Sequence, residues 1–341
     1  MNRKIGLAGA GMVSYHHLLA WQSQRPRAEV VAIADPGTAQ AAERASAFGI
    51  GATFSDARTM MDTLALDALD VAAPREVHAQ IVELAAERGI PVLCQKPLAP
   101  TLVEAEALVR FAGPRTRLMV HENWRFRPYY RELKAWLDDG AIGRVHQCHM
   151  SILTSGLLPQ ADGVRPALAR QPFFKTEKRL LVMEVLIHHI DTLRFLLGPM
   201  TVETAAIARL SPDLAGEDCA TVCFRSASGA SVVLIGNFLA HGHPPALIDD
   251  LELIGDRGAI TLRNGGLKLS GPADRELSYD LVDSYQASYN RTIGHFLDCL
   301  DSGAAFETNP EDNLETLKLV ETIYAMSAGG VAPRRPAAAA R

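Results

Sequence analysis

No basic excess, no long apolar run and no paired cysteines occur in this chain of 341 residues, and each absence removes a class of function. With 34 Lys and Arg against 39 Asp and Glu, the formal net charge is -5, so the footprint expected of a nucleic-acid or anionic-membrane binder is missing. No stretch approaches the ~20 apolar residues of a spanning helix. The opening MNRKIGLAGAGM passes from two basic residues straight into a glycine turn, so no signal peptide is read there and a cytoplasmic location is expected. Cys94, Cys148, Cys219, Cys223 and Cys299 are odd in number and scattered, without a CxxC pair or a His/Cys cluster at zinc spacing. Reduced thiols and no metal are expected. There is no internal repeat. What remains, 48% hydrophobic and 21% charged, is a globular chain long enough for two domains, and a small metabolite is its expected partner.

The first half alternates strands and helices. KIGLAGAG, VVAIAD, ALDVAAP, IPVLCQKP and RLMVHENW read as strands, with AQAAERASAFG and AQIVELAAERG as helical crossovers. Apolar strands joined by helices predict a Rossmann-type, doubly wound parallel sheet, whose ligands bind at the carboxyl ends of the strands. From about residue 144 the pattern turns to RVHQCHMSI, ETAAIARL, CATVCFRS, ASVVLIGNFLA, DLELIG and GAITLRN. These predict a second, α+β domain with a large, mostly antiparallel open sheet. The expected division is 1–122 for dinucleotide binding, 123–330 for substrate binding and oligomerisation, and an Ala/Pro/Arg-rich disordered tail at 331–341. SVVLIGNFLA and DLELIG are too apolar for two solvated faces, which predicts a homodimer or homotetramer joined through this sheet.

Gly9, Ala10, Gly11, Met12 and Val13 open a GxGxxG-like turn in which Ser14 replaces the third glycine. The first glycine permits the tight turn, and the second lets backbone N–H groups approach a pyrophosphate at a helix N-terminus. Asp35, at the end of VVAIAD, lies where a ribose-binding carboxylate is needed. A carboxylate there bonds a ribose diol and repels a 2′-phosphate, so NAD is expected over NADP. In VLCQKPLAP the strand is stopped by Pro97 and leaves Lys96 at its carboxyl end. A lone lysine is usually a solvated surface residue, but at the mouth of a parallel sheet it can donate to a substrate hydroxyl.

Taken together, GLAGAGMVSYHH, ADP, AAPREVHAQIVELAAERGIPVLCQKPLAPTLVEAEAL, NWRFRPYYRELKAWLDDGAIGRV, HHIDTLRFLLG, HFLDCLDSG and EDNLETLKLVETIYAMS resemble the consecutive signatures of the Gfo/Idh/MocA oxidoreductases. The resemblance implies that Lys96, from a Glu-Lys-Pro motif in which Gln95 here replaces the glutamate, sits beside nicotinamide and substrate. It also implies nucleotide contacts from Ala73, Pro74, His78 and Gln95, since Pro74-Arg75-Glu76-Val77-His78 stands for the family's Pro-Asn-x-x-His.

Within RLLVMEVLIHHIDTLRFLLG, Glu184, His188 and Asp191 fall at i, i+4 and i+7, which at ~100° per residue is one narrow stripe of an apolar helix. Such groups either satisfy one another in the core or form a carboxylate–imidazole dyad with His188 as general base. The resemblance implies the second, mapping Asp-x-Gly-x-His-x-x-Asp onto Glu184, Leu186, His188 and Asp191. Asn123 and Arg125 stand where the family enters its substrate domain, and Arg165, Arg170, Lys175, Lys178 and Arg179 precede the stripe. Several of these reaching a substrate would mean that it carries a carboxylate.

These features predict an NAD-dependent dehydrogenase of a secondary alcohol in a polyol, sugar or sugar acid. Lys96 would bond the reacting oxygen, His188 would move its proton, and Glu184 would orient the imidazole. A redox-neutral enzyme with tightly held NAD, and a non-catalytic NAD(H)-sensing regulator, are the other readings of the same chain.

Overall fold

The structure is a computed structural model that describes residues 2–328, so the tail expected at 331–341 lies outside the described residues. In chain order the elements are β1 (Arg3–Ala8), α1 (Ser14–Ser23), β2 (Ala28–Ala34), α2 (Thr38–Phe48), β3 (Ala52–Phe54), α3 (Ala57–Thr63), β4 (Ala68–Val71), α4 (His78–Glu87), β5 (Val92–Gln95), α5 (Leu102–Ala112), β6 (Leu118–His121) and α6 (Pro128–Asp138). They continue with β7 (Val145–Leu153), α7 (Pro166–Arg170), a π-helical turn at Leu181–Leu186, α8 (Ile187–Leu197), β8 (Met200–Ala208), β9 (Cys219–Ser226), β10 (Ser231–Asn237), β11 (Asp249–Gly255), β12 (Gly258–Arg263), β13 (Gly266–Ser270), β14 (Arg275–Ser278), α9 (Leu281–Ser302) and α10 (Pro310–Ala328).

Two compact units result. The first takes residues up to Asp138 together with Ile187–Leu196 and Ser278–Lys318, and the second takes Asp139–Leu186, Leu197–Leu277 and Leu319 onward. The first unit holds a six-stranded parallel sheet in the order β3-β2-β1-β4-β5-β6, which reverses direction between β1 and β4 as a doubly wound sheet does. β4, β5 and β6 are buried at every position, matching their largely apolar sequences. Residues from far down the chain complete this core: Tyr289, Ile293, Phe296 and Leu297 of α9 pack with Ile5, Leu7, Leu18 and Trp21.

The second unit holds an eight-stranded sheet, β14-β13-β12-β11-β7-β10-β9-β8. β7 and β10 run parallel, whereas β8/β9, β9/β10, β7/β11, β11/β12 and β12/β13 are antiparallel. One face is dry: Met150, Val222, Phe224, Val232, Leu234, Leu251 and Leu253 are all buried. The π-helical turn covers part of it. A Cβ on Gly236 would stand 3.0 Å from both methyls of Leu186, so the bulk of Leu186 is accommodated by a glycine on the strand beneath. On the opposite face Val233 and Ile235 alternate with those buried residues and stay half-exposed.

Candidate active site

The turn after β1 fits a dinucleotide. Gly9 has φ +107°, and a Cβ there would come within 2.4 Å of the Ala72 carbonyl oxygen, so the position requires glycine. Where Gly11 would carry a Cβ there is no heavy atom within 4 Å, leaving the approach to the start of α1 open. Ser14, standing for the third glycine, is buried and its hydroxyl donates to the Gly11 carbonyl at 2.6 Å, which closes the turn. Asp35 accepts the Ala10 N–H on one oxygen and the Gly37 N–H on the other, each at 2.7 Å. The carboxylate thus ties the glycine turn to the end of β2, where a ribose would lie. Met12 and Val13 complete the turn, Met12 exposed. Arg44 lies 5.5 Å from the Tyr15 ring.

Two residues assigned to the nucleotide are engaged within the protein itself. His78 is 1% exposed, with Nδ1 2.9 Å from the Pro97 carbonyl and Nε2 2.8 Å from the Ala73 carbonyl. It braces the loop that carries Ala73 and Pro74 against the one that follows Lys96, and burial holds its pKa below the ordinary histidine value. Gln95 is likewise buried, its amide engaged with His17, His121 and the Lys96 backbone N–H.

Lys96 follows β5 directly and is partly exposed. Its charge acts on Glu122, a residue that the sequence reading passed over. Glu122 follows β6, is fully buried, and places Oε1 in a hydrogen bond with His188 Nδ1 and 3.3 Å from the Trp124 N–H. Burial pushes its pKa up to about 7, against the opposing charges of Lys96 and Arg125. The His188 ring stacks on Trp124 with centroids 4.6 Å apart and planes 18° from parallel, and the Arg127 guanidinium covers the indole at 3.5 Å. One nitrogen of His188 is therefore oriented by a carboxylate and its plane by an indole.

The expected stripe is altered. Glu184 belongs to the π-helical turn, while His188 and Asp191 belong to α8, so a uniform 100° per residue does not run from one to the others. The carboxylate at His188 Nδ1 is that of Glu122. Asp191 is fully buried and receives Arg125 in a two-pronged bond, Nε at 2.7 Å and Nη2 at 2.6 Å, with Thr316 Oγ1 at 3.3 Å. Arg125 also meets Asp312 at 2.7 Å. Arg125 and Asp191, both assigned to substrate, are taken up by each other inside the fold, because a buried charge needs a partner. Asn123 is 2% exposed and donates to Ser288 Oγ at 2.7 Å. In the second unit, Arg165 pairs with Asp213 at 2.6 Å and Arg179 with Glu321 at 2.9 Å, while Arg170, Lys175 and Lys178 are exposed. Among the described residues no cluster of three or more His, Cys, Asp or Glu could hold a metal ion, and no helix is long and apolar enough to cross a membrane.

A glycine turn, a carboxylate after the second strand and a lysine after the fifth define a dinucleotide-dependent oxidoreductase. Residues 3–122 match the oxidoreductase family with an NAD-binding Rossmann fold, and residues 130–261 match the GFO/IDH/MocA C-terminal domain, so the chain belongs to the Gfo/Idh/MocA oxidoreductases. D-apiose dehydrogenase of Paraburkholderia graminis is 32% identical over 340 residues, spanning 94% of this chain and 86% of that one. Inositol 2-dehydrogenase of Rhizobium meliloti is 27% identical over 334 residues, 94% and 96% of the two chains. An oxidoreductase from Agrobacterium radiobacter, solved in complex with NAD+, L-tartaric acid and magnesium, superposes with a TM-score of 0.90 at 28% identity, covering 97% of this chain and 98% of that one.

Proposed function

We propose that the protein is an NAD-dependent dehydrogenase acting on a secondary alcohol of a polyol or sugar, with Lys96, His188 and Glu122 as its acid–base group. The observation that carries this reading is the Glu122–His188 pair beside a lysine whose charge reaches Glu122. NAD, held by Gly9, Ala10, Gly11, Met12, Val13 and Asp35, supplies the hydride acceptor. Lys96 hydrogen-bonds the reacting hydroxyl. His188 removes the hydroxyl proton through Nε2 as hydride leaves the carbon, and the alcohol becomes a ketone. Glu122 takes the orienting role first given to Glu184: it fixes the ring through Nδ1 and balances the charge that the imidazole gains. The relatives named for apiose and inositol act on neutral carbohydrates, and a neutral substrate also suits a chain whose Arg125, Arg165 and Arg179 already carry carboxylate partners. Sugar acids remain the second substrate class.

The half-exposed Val233 and Ile235 support assembly into a homodimer or homotetramer through the second sheet. Light scattering at micromolar concentration checks this point, and a monomeric mass would contradict it. For the activity, purified enzyme with NAD+ is offered polyols, sugars and aldonic acids while reduced nicotinamide absorbance is followed. An active alcohol whose oxidation survives intact in Lys96→Met would sink the proposed chemistry.

A further inference from the structure

The first unit buries a second polar layer, apart from the Glu122–His188 pair. It comprises His17 and Trp21 of α1, Asp70 of β4, Gln95 of β5 and His121 of β6, none more than 6% exposed, with the Tyr289 ring of α9 against both imidazoles at 5.4 and 5.0 Å. Lys96, Glu122 and His188 are the neighbouring charged or titratable groups on the other side.

A backbone amide sets the direction of every hydrogen bond here. The Lys96 N–H lies 3.2 Å from Gln95 Oε1, and a backbone N–H can only donate, so the Gln95 side chain must present its oxygen to it. Its NH2 group then faces His17 Nε2 at 2.7 Å and His121 Nδ1 at 3.2 Å. That group has two hydrogens and no acceptor, and the reverse orientation would set two donors against each other at Lys96. Both imidazole nitrogens must therefore offer lone pairs. His17 keeps its hydrogen on Nδ1, where it donates to Asp70 Oδ2 at 2.8 Å, an oxygen that also accepts the Trp21 Nε1–H at 2.7 Å. His121 keeps its hydrogen on Nε2, a buried atom without a protein partner.

We infer that Gln95 is a positioning residue that holds His17 and His121 as opposite neutral tautomers, and so fixes the backbone of Lys96 on a bed whose one charge is Asp70. Burial, with His17 and His188 nearby, pushes the pKa of His121 well below the ordinary histidine value, in agreement with an uncharged ring. A carboxylate at this position could only accept. It would demand a hydrogen on His17 Nε2 while Asp70 still holds the one on Nδ1, giving an imidazolium, and it would move the His121 hydrogen to Nδ1.

The assignment concerns hydrogens on nitrogen and stands or falls independently of the substrate and of the proposed reaction. The test is a long-range proton–nitrogen correlation spectrum of full-length protein, ¹⁵N-labelled at histidine, at neutral pH. The two rings are identified by their loss in His17→Gln and His121→Gln. The expected pattern is Nδ1–H for His17 and Nε2–H for His121. In Gln95→Glu, His17 should change to the imidazolium pattern and His121 to Nδ1–H. The same tautomer on both rings, an imidazolium on either ring in the unmodified protein, or a pattern unchanged by Gln95→Glu would overturn the inference. Should Gln95→Glu not fold, the spectrum of the unmodified protein decides alone.

Discussion

Glu122 and Asp191 are both carboxylates without solvent exposure, and each faces a basic side chain 66 residues away, His188 for one and Arg125 for the other. The equal separation means that segments 122–125 and 188–191 lie alongside in parallel, with acid and base exchanged between the two pairs. Their surroundings differ. Asp191 has both oxygens bonded, by a permanent cation in fork geometry and by Thr316, whereas Glu122 has Oε2 without a partner and faces a ring that can gain or lose a proton. Burial raises both, Asp191 to about 6 and Glu122 to about 7. A carboxylate fully met by an arginine is fixed in place; one partly met by a histidine is able to share a proton. On the proposed function, the first pair holds the fold and the second is the one suited to proton transfer.

Changing His188 or the neighbouring Lys96 should have the largest effect on rate. His188→Ala and Lys96→Met are each expected to slow oxidation by a factor on the order of 10²–10⁴, because general acid–base groups contribute on that scale. NADH affinity, read by fluorescence titration, should stay within a few-fold. The double variant should be little worse than the poorer single one, since both residues act on one proton transfer. Changing the structural pair should instead act on stability. Arg125→Met leaves Asp191 buried without its cation, and urea unfolding is expected to show a loss of about 3–5 kcal/mol. If Arg125→Met kept full stability and lost only activity, the division between the pairs would be wrong.

A smaller effect separates the two carboxylates by pH. Folding raises Glu122 from 4.5 to about 7, so the folded state binds a proton that the unfolded state has released. The stability tied to that proton is present below pH 4.5 and is lost as pH rises through about 7. Asp191 acts in the same direction from 3.8 to about 6. Glu122→Gln should therefore flatten the decline in urea stability across this window without abolishing it, and an unchanged slope would contradict the shift assigned to Glu122. The smallest expected change is in cofactor choice. Asp35→Ser should narrow the preference for NADH over NADPH, because the charge repelling a 2′-phosphate is gone, while both bind more weakly as Ala10 and Gly37 lose their shared acceptor.

What the sequence made legible are features set by local spacing. The Gly9–Gly11 turn, Asp35 one strand later and Lys96 before Pro97 each follow from contiguous residues, and the alternation of apolar strands and helices is enough to imply the parallel sheet. Glu122 was not legible, because it is a single acid after a buried strand and its partner is 66 residues distant. The pairing of Arg125 with Asp191 was hidden for the same reason: charge is visible in sequence, but the partner that meets it inside the fold is not. The π-helical turn at Leu181–Leu186 breaks the periodicity from which Glu184 was placed beside His188. Three strands lie outside the expected set: β3 spans only three residues and β14 is exposed at every position, so neither carries a usable alternation, whereas β13 does alternate, buried Leu267 and Leu269 against exposed Lys268 and Ser270, over a span of only five residues.

The most direct test of the account is the pH–rate profile of Glu122→Gln set beside that of Glu184→Gln on one active alcohol. If Glu122 orients His188 and balances its charge, Glu122→Gln removes a negative charge at Nδ1, makes the imidazole easier to deprotonate, and moves the acidic limb to lower pH with a reduced maximum rate. Glu184→Gln should leave that limb in place. A shifted limb in Glu184→Gln with an unchanged one in Glu122→Gln would return the orienting role to Glu184 and contradict the account.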